Sequence, residues 1–174
     1  MDTQKIKEAL AKQPNAYPAT IAQELGVSEL AVVSQLPEDT VKKVAIGEFD
    51  KIMDEVTLWG DVLFLVRNGS VIAEVKGPIP KGNHSHGYFN LHGASPIGGH
   101  IHAESLGAIC FVGKSVSGSE SISIQFYDKK GDGMFKIYLG RGADRKILTE
   151  QKEKYDKLKD ELEAIKVSQL KGIL

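Results

Sequence analysis

All five histidines of this chain fall within residues 84–102, which read HSHGYFNLHGASPIGGHIH. His84 and His86 stand two apart, as do His100 and His102. On a β-strand, residues i and i+2 face the same way, so each pair could present two imidazoles to one metal ion. The only acid close by is Glu104, and its spacing to either pair does not suit a two-histidine, one-carboxylate site. His84 follows a Pro-Lys-Gly turn and His92 follows Leu91 at a turn, which reads both as solvated loop residues. His86 opens the run GYFN and His100 follows a glycine pair, so these two are the better candidates to point into a cleft. Gly87, Gly98 and Gly99 beside them would let something large and flat approach the backbone.

A flat ligand with an iron centre is haem, which needs an apolar slot, an iron ligand and cations for two propionates. Phe64, Val66, Ile72, Phe126 and Ile137 are candidate walls. Arg67, Lys136 and Arg141 are candidate partners for the carboxylates. No C-x-x-C-H motif occurs, so any haem is expected to be non-covalent, of the b type. The same residues would equally suit a plain antiparallel core, and the residues alone leave metal, haem and structure open.

The elements that must position these residues change character along the chain. Three short helices are expected near Thr3–Lys12, Ala19–Leu25 and Ser28–Leu36, with Gly26 ending the second and Ser28 capping the third. A fourth, Glu48–Leu58, carries Phe49, Ile52, Met53 and Val56 at helical spacing. From Trp59 the period becomes two: DVLFLVRNGSVIAEVKG reads as a hairpin turning at Asn68-Gly69. GYFNLHG and GGHIHAESLGAICFVGKSV are strand-like, and SISIQFYDKKGDGMFKIYLGR is a second hairpin turning through Lys129–Gly133. A charged helix from about Arg145 to Lys166 closes the pattern, with Leu148, Tyr155, Leu158, Leu162 and Ile165 on one stripe and Glu150/Lys154 and Glu153/Lys157 beside it. The order implies an α+β fold with an antiparallel sheet core. It divides a single domain (1–174) into a helical part (1–58), a sheet (59–142) and a C-terminal helix (143–174).

Bulk properties narrow the function. The 174 residues carry 22 basic and 23 acidic side chains, a net charge of −1, which gives no general attraction for nucleic acid or anionic lipid. The segment AQELGVSELAVVSQL, within residues 19–36, has the outline of a helix-turn-helix regulator. Its groove-facing residues would be Ser28, Glu29, Ala31 and Gln35, none of them a cation, which argues against DNA. The amino terminus lacks the apolar core of a signal peptide, and no window approaches a membrane span. The lone cysteine, Cys110 in GAICFV, reads as a buried structural thiol, so a cytoplasmic location is expected.

Four segments together resemble the cytosolic haem-utilisation carriers of the HutX/ChuX family. They are Leu58-Trp59-Gly60, HGYFNLHG at 86–93, GGHIHAE at 98–104 and FKIYLGRGADRKIL at 135–148. QLPEDTV at 35–41 adds to the match, which spans nearly the whole chain. The resemblance implies a fold like one half of the larger HemS/ChuS haem-handling proteins, with two chains pairing as a homodimer. It implies binding of imported haem and its transfer to a haem-degrading enzyme, without catalysis by the carrier; haem degradation by the chain itself is the competing enzyme reading. His100 is expected as the iron ligand and His86 as second choice, with Tyr88 or Tyr127 as oxygen-ligand alternatives. Arg67, Lys136 and Arg141 would steady the propionates. Some relatives carry a histidine where this chain has Arg67.

Overall fold

The change of period at Trp59 marks the passage from helices to a sheet whose central strands are covered on both faces. The structure is a computed structural model and describes residues 3–116 and 118–162. The helices are α1 (Thr3–Lys12), α2 (Pro18–Leu25), α3 (Glu29–Val33), α4 (Phe49–Val56) and α5 (Thr149–Glu161). The strands are β1 (Val41–Val44), β2 (Asp61–Arg67), β3 (Ile72–Pro78), β4 (Gly82–Ser85), β5 (Tyr88–Leu91), β6 (Gly99–Ile101), β7 (Leu106–Val116), β8 (Ser119–Asp128) and β9 (Gly133–Tyr138). Six of them form one sheet in the order β1-β7-β8-β9-β2-β3, and β4-β5-β6 form a smaller one; every pairing is antiparallel.

The α+β class, the antiparallel hairpins and the C-terminal helix are as the sequence implies. Several boundaries differ. β1 sits inside the stretch read as helical, because Val41–Val44 pairs with β7 along its edge. The third helix is only one turn long, since Pro37 follows soon after and the chain must turn into β1. The first hairpin loop is longer than a two-residue turn: the Asn68 side chain accepts from the backbone N–H of Ser70 and Val71. In the charged helix, Glu150–Lys154 forms at 2.7 Å, whereas Lys157 turns to Glu161 at 4.0 Å. Ile165 and Lys166 lie outside the described residues.

Strand alternation gives the large sheet two different faces. Ile109, Phe111, Ile122, Ile124, Phe126, Phe135, Ile137 and Val62 point to the main core, where α4, α5 and the inner residues of the small sheet (Phe89, Leu91, Ile101) meet them. Ala108, Cys110, Val112 and Tyr127 point the other way and pack under Val33 of α3, while Ile6, Ile21, Ala22 and Val32 knit the three N-terminal helices together. A buried ion pair between Glu29 of α3 and Lys136 of β9 joins the helical layer to the sheet. The β8–β9 turn also reaches α3, where the Leu30 N–H donates to the Gly131 carbonyl at 3.0 Å. Among the described residues, no helix is long and apolar enough to cross a membrane.

Candidate functional site

The histidine-bearing segment folds into the small sheet, and its alternation sorts the side chains. His86 and Gly87 form a two-residue turn between β4 and β5, with φ of 53° and 80°. Both central residues of a type I′ hairpin turn need such positive φ, and here a histidine adopts one. His86 therefore stands exposed at a turn tip instead of opening a strand. His84 lies on the inward side: its Nε2 meets Asp50 Oδ1 of α4 at 2.7 Å and its ring packs 5.0 Å from that of Phe89. It stays at the surface, as the sequence implies, while clasping the small sheet to the helix.

The outer face carries Tyr88, Asn90, His100 and, just beyond β6, His102. Four rings line up across it. His92 is 6.1 Å from His100, His100 is 6.0 Å from Tyr88, and Tyr88 is 5.4 Å from His102. Asn90 and His100 are direct cross-strand partners, and Asn90 Oδ1 lies 2.6 Å from His100 Nδ1. Among the described residues no three His, Cys, Asp or Glu side chains are grouped to hold a metal ion. His100, expected to point into a cleft, instead stands exposed on this face. It is not among the residues that line the cleft over β9, β2 and β3.

The walls are elsewhere. A cleft of about 550 Å³ lies over β9, β2 and β3, on the face turned away from the small sheet. Leu63, Leu65 and Ile72 form its apolar floor, Leu139, Ile147 and Leu148 one end, and Tyr17, 64% exposed ahead of α2, its rim. Arg67, Lys76 and Arg141 bring positive charge, with Asp61 and Glu74 interspersed. Arg141 is already partly engaged, donating to the carbonyls of Arg145 and Glu120, which braces the loop 140–148.

The residues singled out in the sequence thus separate into two groups. Arg67, Lys136 and Arg141 line the cleft; His100, His86 and Tyr88 lie on the far side of the large sheet, beyond the main core. They cannot converge on one ligand within one chain. Three assignments need correction. Of the expected walls, only Ile72 lines the cleft, because Phe64, Phe126 and Ile137 have the opposite strand parity and belong to the main core, and Val66 shares that parity. Lys136 is buried against Glu29 and is committed to that carboxylate. Tyr127 is fully enclosed, its hydroxyl donates to Gln125, and burial first, then Glu29, push its phenol far above the ordinary range, so it is no open oxygen ligand. Tyr138 at the cleft is likewise pushed up to about 12, chiefly by burial. The helix-turn-helix outline fails for a related reason. Its second helix has five residues, of which Glu29, Val32 and Val33 are buried against the sheet and the first helices.

Lys76 and Tyr17 of the cleft lining were not singled out from the sequence. Lys76 was within reach, since it shares the two-residue period of Arg67 and Ile72 across the hairpin.

Comparison with known proteins places this architecture. A profile of the haem utilisation ChuX/HutX family matches residues 42–158. The chain belongs to the haem utilisation ChuX/HutX family. It is 36% identical over 149 residues to the intracellular heme transport protein HutX of Vibrio cholerae, covering 85% of this chain and 77% of that one. The crystal structure of ChuX superposes with a TM-score of 0.81 at 36% identity, covering 89% of this chain and 96% of that one. A protein from Erwinia carotovora gives 0.86 at 35% identity, covering 91% and 98%. The fold alone recurs in PhuS of Pseudomonas aeruginosa, described as a heme-binding protein, at 14% identity and a TM-score of 0.73; this chain spans 95% of its own length but 47% of that chain. The match to ChuS, described as a heme degrading enzyme of Escherichia coli, also covers 47% of the larger chain. This chain is thus close to half the length of those proteins.

Proposed function

We propose that this chain is an intracellular, non-enzymatic haem carrier that holds non-covalent, b-type haem and hands it to a haem-degrading enzyme. The observation that carries the reading is the cleft over β9, β2 and β3. Its volume of about 550 Å³ falls within the roughly 300–1,000 Å³ typical of small-molecule sites, and it combines an apolar floor with Arg67, Lys76 and Arg141. An amphiphilic macrocycle with two carboxylates suits such a lining, because the ring buries apolar surface while guanidinium and ammonium groups meet the propionates. The family membership and the heme transport name of the Vibrio cholerae relative point the same way.

The iron ligand we propose is His100, from a second copy of the chain. One chain holds the cleft and the imidazole face on opposite sides of a sheet, so both can serve one haem only across two copies. The larger fold relatives are about twice this length, so the match leaves about half of each of them for further structure beside this unit. We accordingly propose a homodimer with two equivalent sites.

A hemin titration followed at the Soret band tests this. The parent protein is expected to saturate, and His100→Ala and Arg67→Glu each to weaken binding. Mixing and re-equilibrating the two variants should restore some tight sites, since a mixed pair contains one intact cleft facing one intact imidazole. No saturation by the parent refutes the carrier. Saturation without complementation refutes the shared site. Steady Soret loss with ascorbate, persisting when catalase is present, would overturn the non-enzymatic assignment.

A further inference from the structure

Asn90 is the residue that decides which nitrogen of His100 is free. Its side chain is 8% exposed and sits inside the small sheet, beneath the row of rings. An amide has two chemically different ends, and here the surroundings fix which is which. The Nδ2 end faces three backbone carbonyls, those of Ser85 at 3.0 Å, Tyr88 at 3.1 Å and Asn83 at 3.3 Å. Carbonyls only accept, so the NH₂ group must be the end that points at them. Oδ1 is thereby left facing His100, and Oδ1 also only accepts. The Nδ1 of His100, 2.6 Å away, must carry the proton. In the neutral ring Nε2 then holds a lone pair, aimed at the exposed side of the sheet.

We propose that Asn90 is a positioning residue that holds His100 as the Nδ1–H tautomer with Nε2 outward, ready to donate to a metal. Free histidine favours the opposite tautomer, so this arrangement is imposed by the sheet. Metal-ligating histidines commonly donate their other ring N–H to a fixed acceptor, which sets ring orientation and donor strength. The acceptor here is a neutral amide. A carboxylate would draw the proton further and make the ring a stronger donor, whereas an amide leaves it a moderate one, which suits a protein that must release its cargo. The same amide ties β4 and the turn at His86 to the strand that carries it, so position and tautomer are set together. The metal meant is haem iron, and to that extent the inference rests on the carrier reading above; the tautomer itself does not.

The experiment begins with the metal-free, unmodified protein. Nitrogen NMR on ¹⁵N-histidine-labelled protein, at a pH where the imidazole is neutral, should show His100 protonated at Nδ1. An Nε2–H signal for His100 overturns the proposal. In Asn90→Ala the His100 signals should move toward the free-histidine tautomer, and hemin affinity should fall about tenfold, the low end of the 10–100-fold loss usual when such an outer partner is removed. The combined Asn90→Ala, His100→Ala protein should bind no more weakly than His100→Ala alone. A tautomer unchanged by Asn90→Ala overturns the role of Asn90. A tautomer that behaves as expected, with hemin spectra and affinity untouched by either change, establishes Asn90 as the tautomer-setting residue and removes His100 from the haem site.

Discussion

Glu29 and Lys136 offer the sharpest energetic test of how the helical layer is held. The two residues are 107 positions apart, and their side chains are only 10% and 9% exposed. Two charges so far out of water are tolerated because each neutralises the other, and removing one leaves the other unpaired. Glu29→Leu or Lys136→Met should each cost about 3–5 kcal/mol. A chain of this length is expected to have a total stability of about 5–15 kcal/mol, so either change consumes a large part of it. At roughly 2–4 °C per kcal/mol, the melting temperature should fall by about 6–20 °C. The double replacement by Leu and Met, which removes both charges and keeps the volume, should be far milder than the two single changes added together. Urea unfolding followed by the fluorescence of Trp59, the single and buried tryptophan, measures all four proteins. Single-change losses below about 1 kcal/mol, the range of solvent-exposed pairs, with no coupling in the cycle would refute the argument. Hemin affinity adds an independent check. Because Lys136 is committed to Glu29, Lys136→Met should leave affinity close to the parent's in protein that remains folded.

Arg67 is half-buried at the cleft and keeps no acidic partner within ion-pair distance among the described residues, so Arg67→Ala should weaken hemin binding about fivefold, the equivalent of one pair near 1 kcal/mol. The loss should shrink at high salt, where screening already weakens the pair; a Soret titration at two ionic strengths reads both effects. Gly107 lies at an irregularity between β7 and β8, where an added Cβ would sit 2.4 Å from the Asp128 carbonyl oxygen. Gly107→Ala should therefore cost about 1–3 kcal/mol by thermal unfolding, since backbone must shift to make room. Burial pushes the Cys110 thiol from 9.0 up to about 12, with Lys43 opposing only in part. The folded protein consequently holds this proton more tightly than the unfolded chain. Its contribution to stability is complete below pH 9.0 and is lost as pH rises toward 12. Cys110→Ala should flatten that alkaline loss in urea unfolding, and the native thiol should resist alkylation at pH 8 until the chain unfolds.

Much of this protein is written locally. Helical spacing of Phe49, Ile52, Met53 and Val56 produced α4 with those four residues buried, and Gly26 ends α2 in the left-handed conformation its missing Cβ permits. The period of two from Trp59 onward produced the hairpins, and four short segments sufficed to identify the family. Even the division between Arg67 and Phe64 was legible, because residues three apart on a strand must face opposite ways. Alternation says only that two faces differ, however. It does not say which is roofed by the N-terminal helices and which by α4, α5 and the small sheet, and that choice put the cleft on one side and the imidazoles on the other. The partner of Lys136 was equally invisible, since a buried charge is matched by whatever the fold brings near it, here a glutamate on a one-turn helix. His100 shows the same limit at shorter range. Its place on a strand followed from sequence, but its tautomer depends on an amide ten residues away whose orientation three carbonyls of the folded hairpin impose. Local propensity acts through neighbours along the chain, whereas burial, charge pairing and hydrogen-bond direction act through neighbours in space, and only the closed fold brings those together.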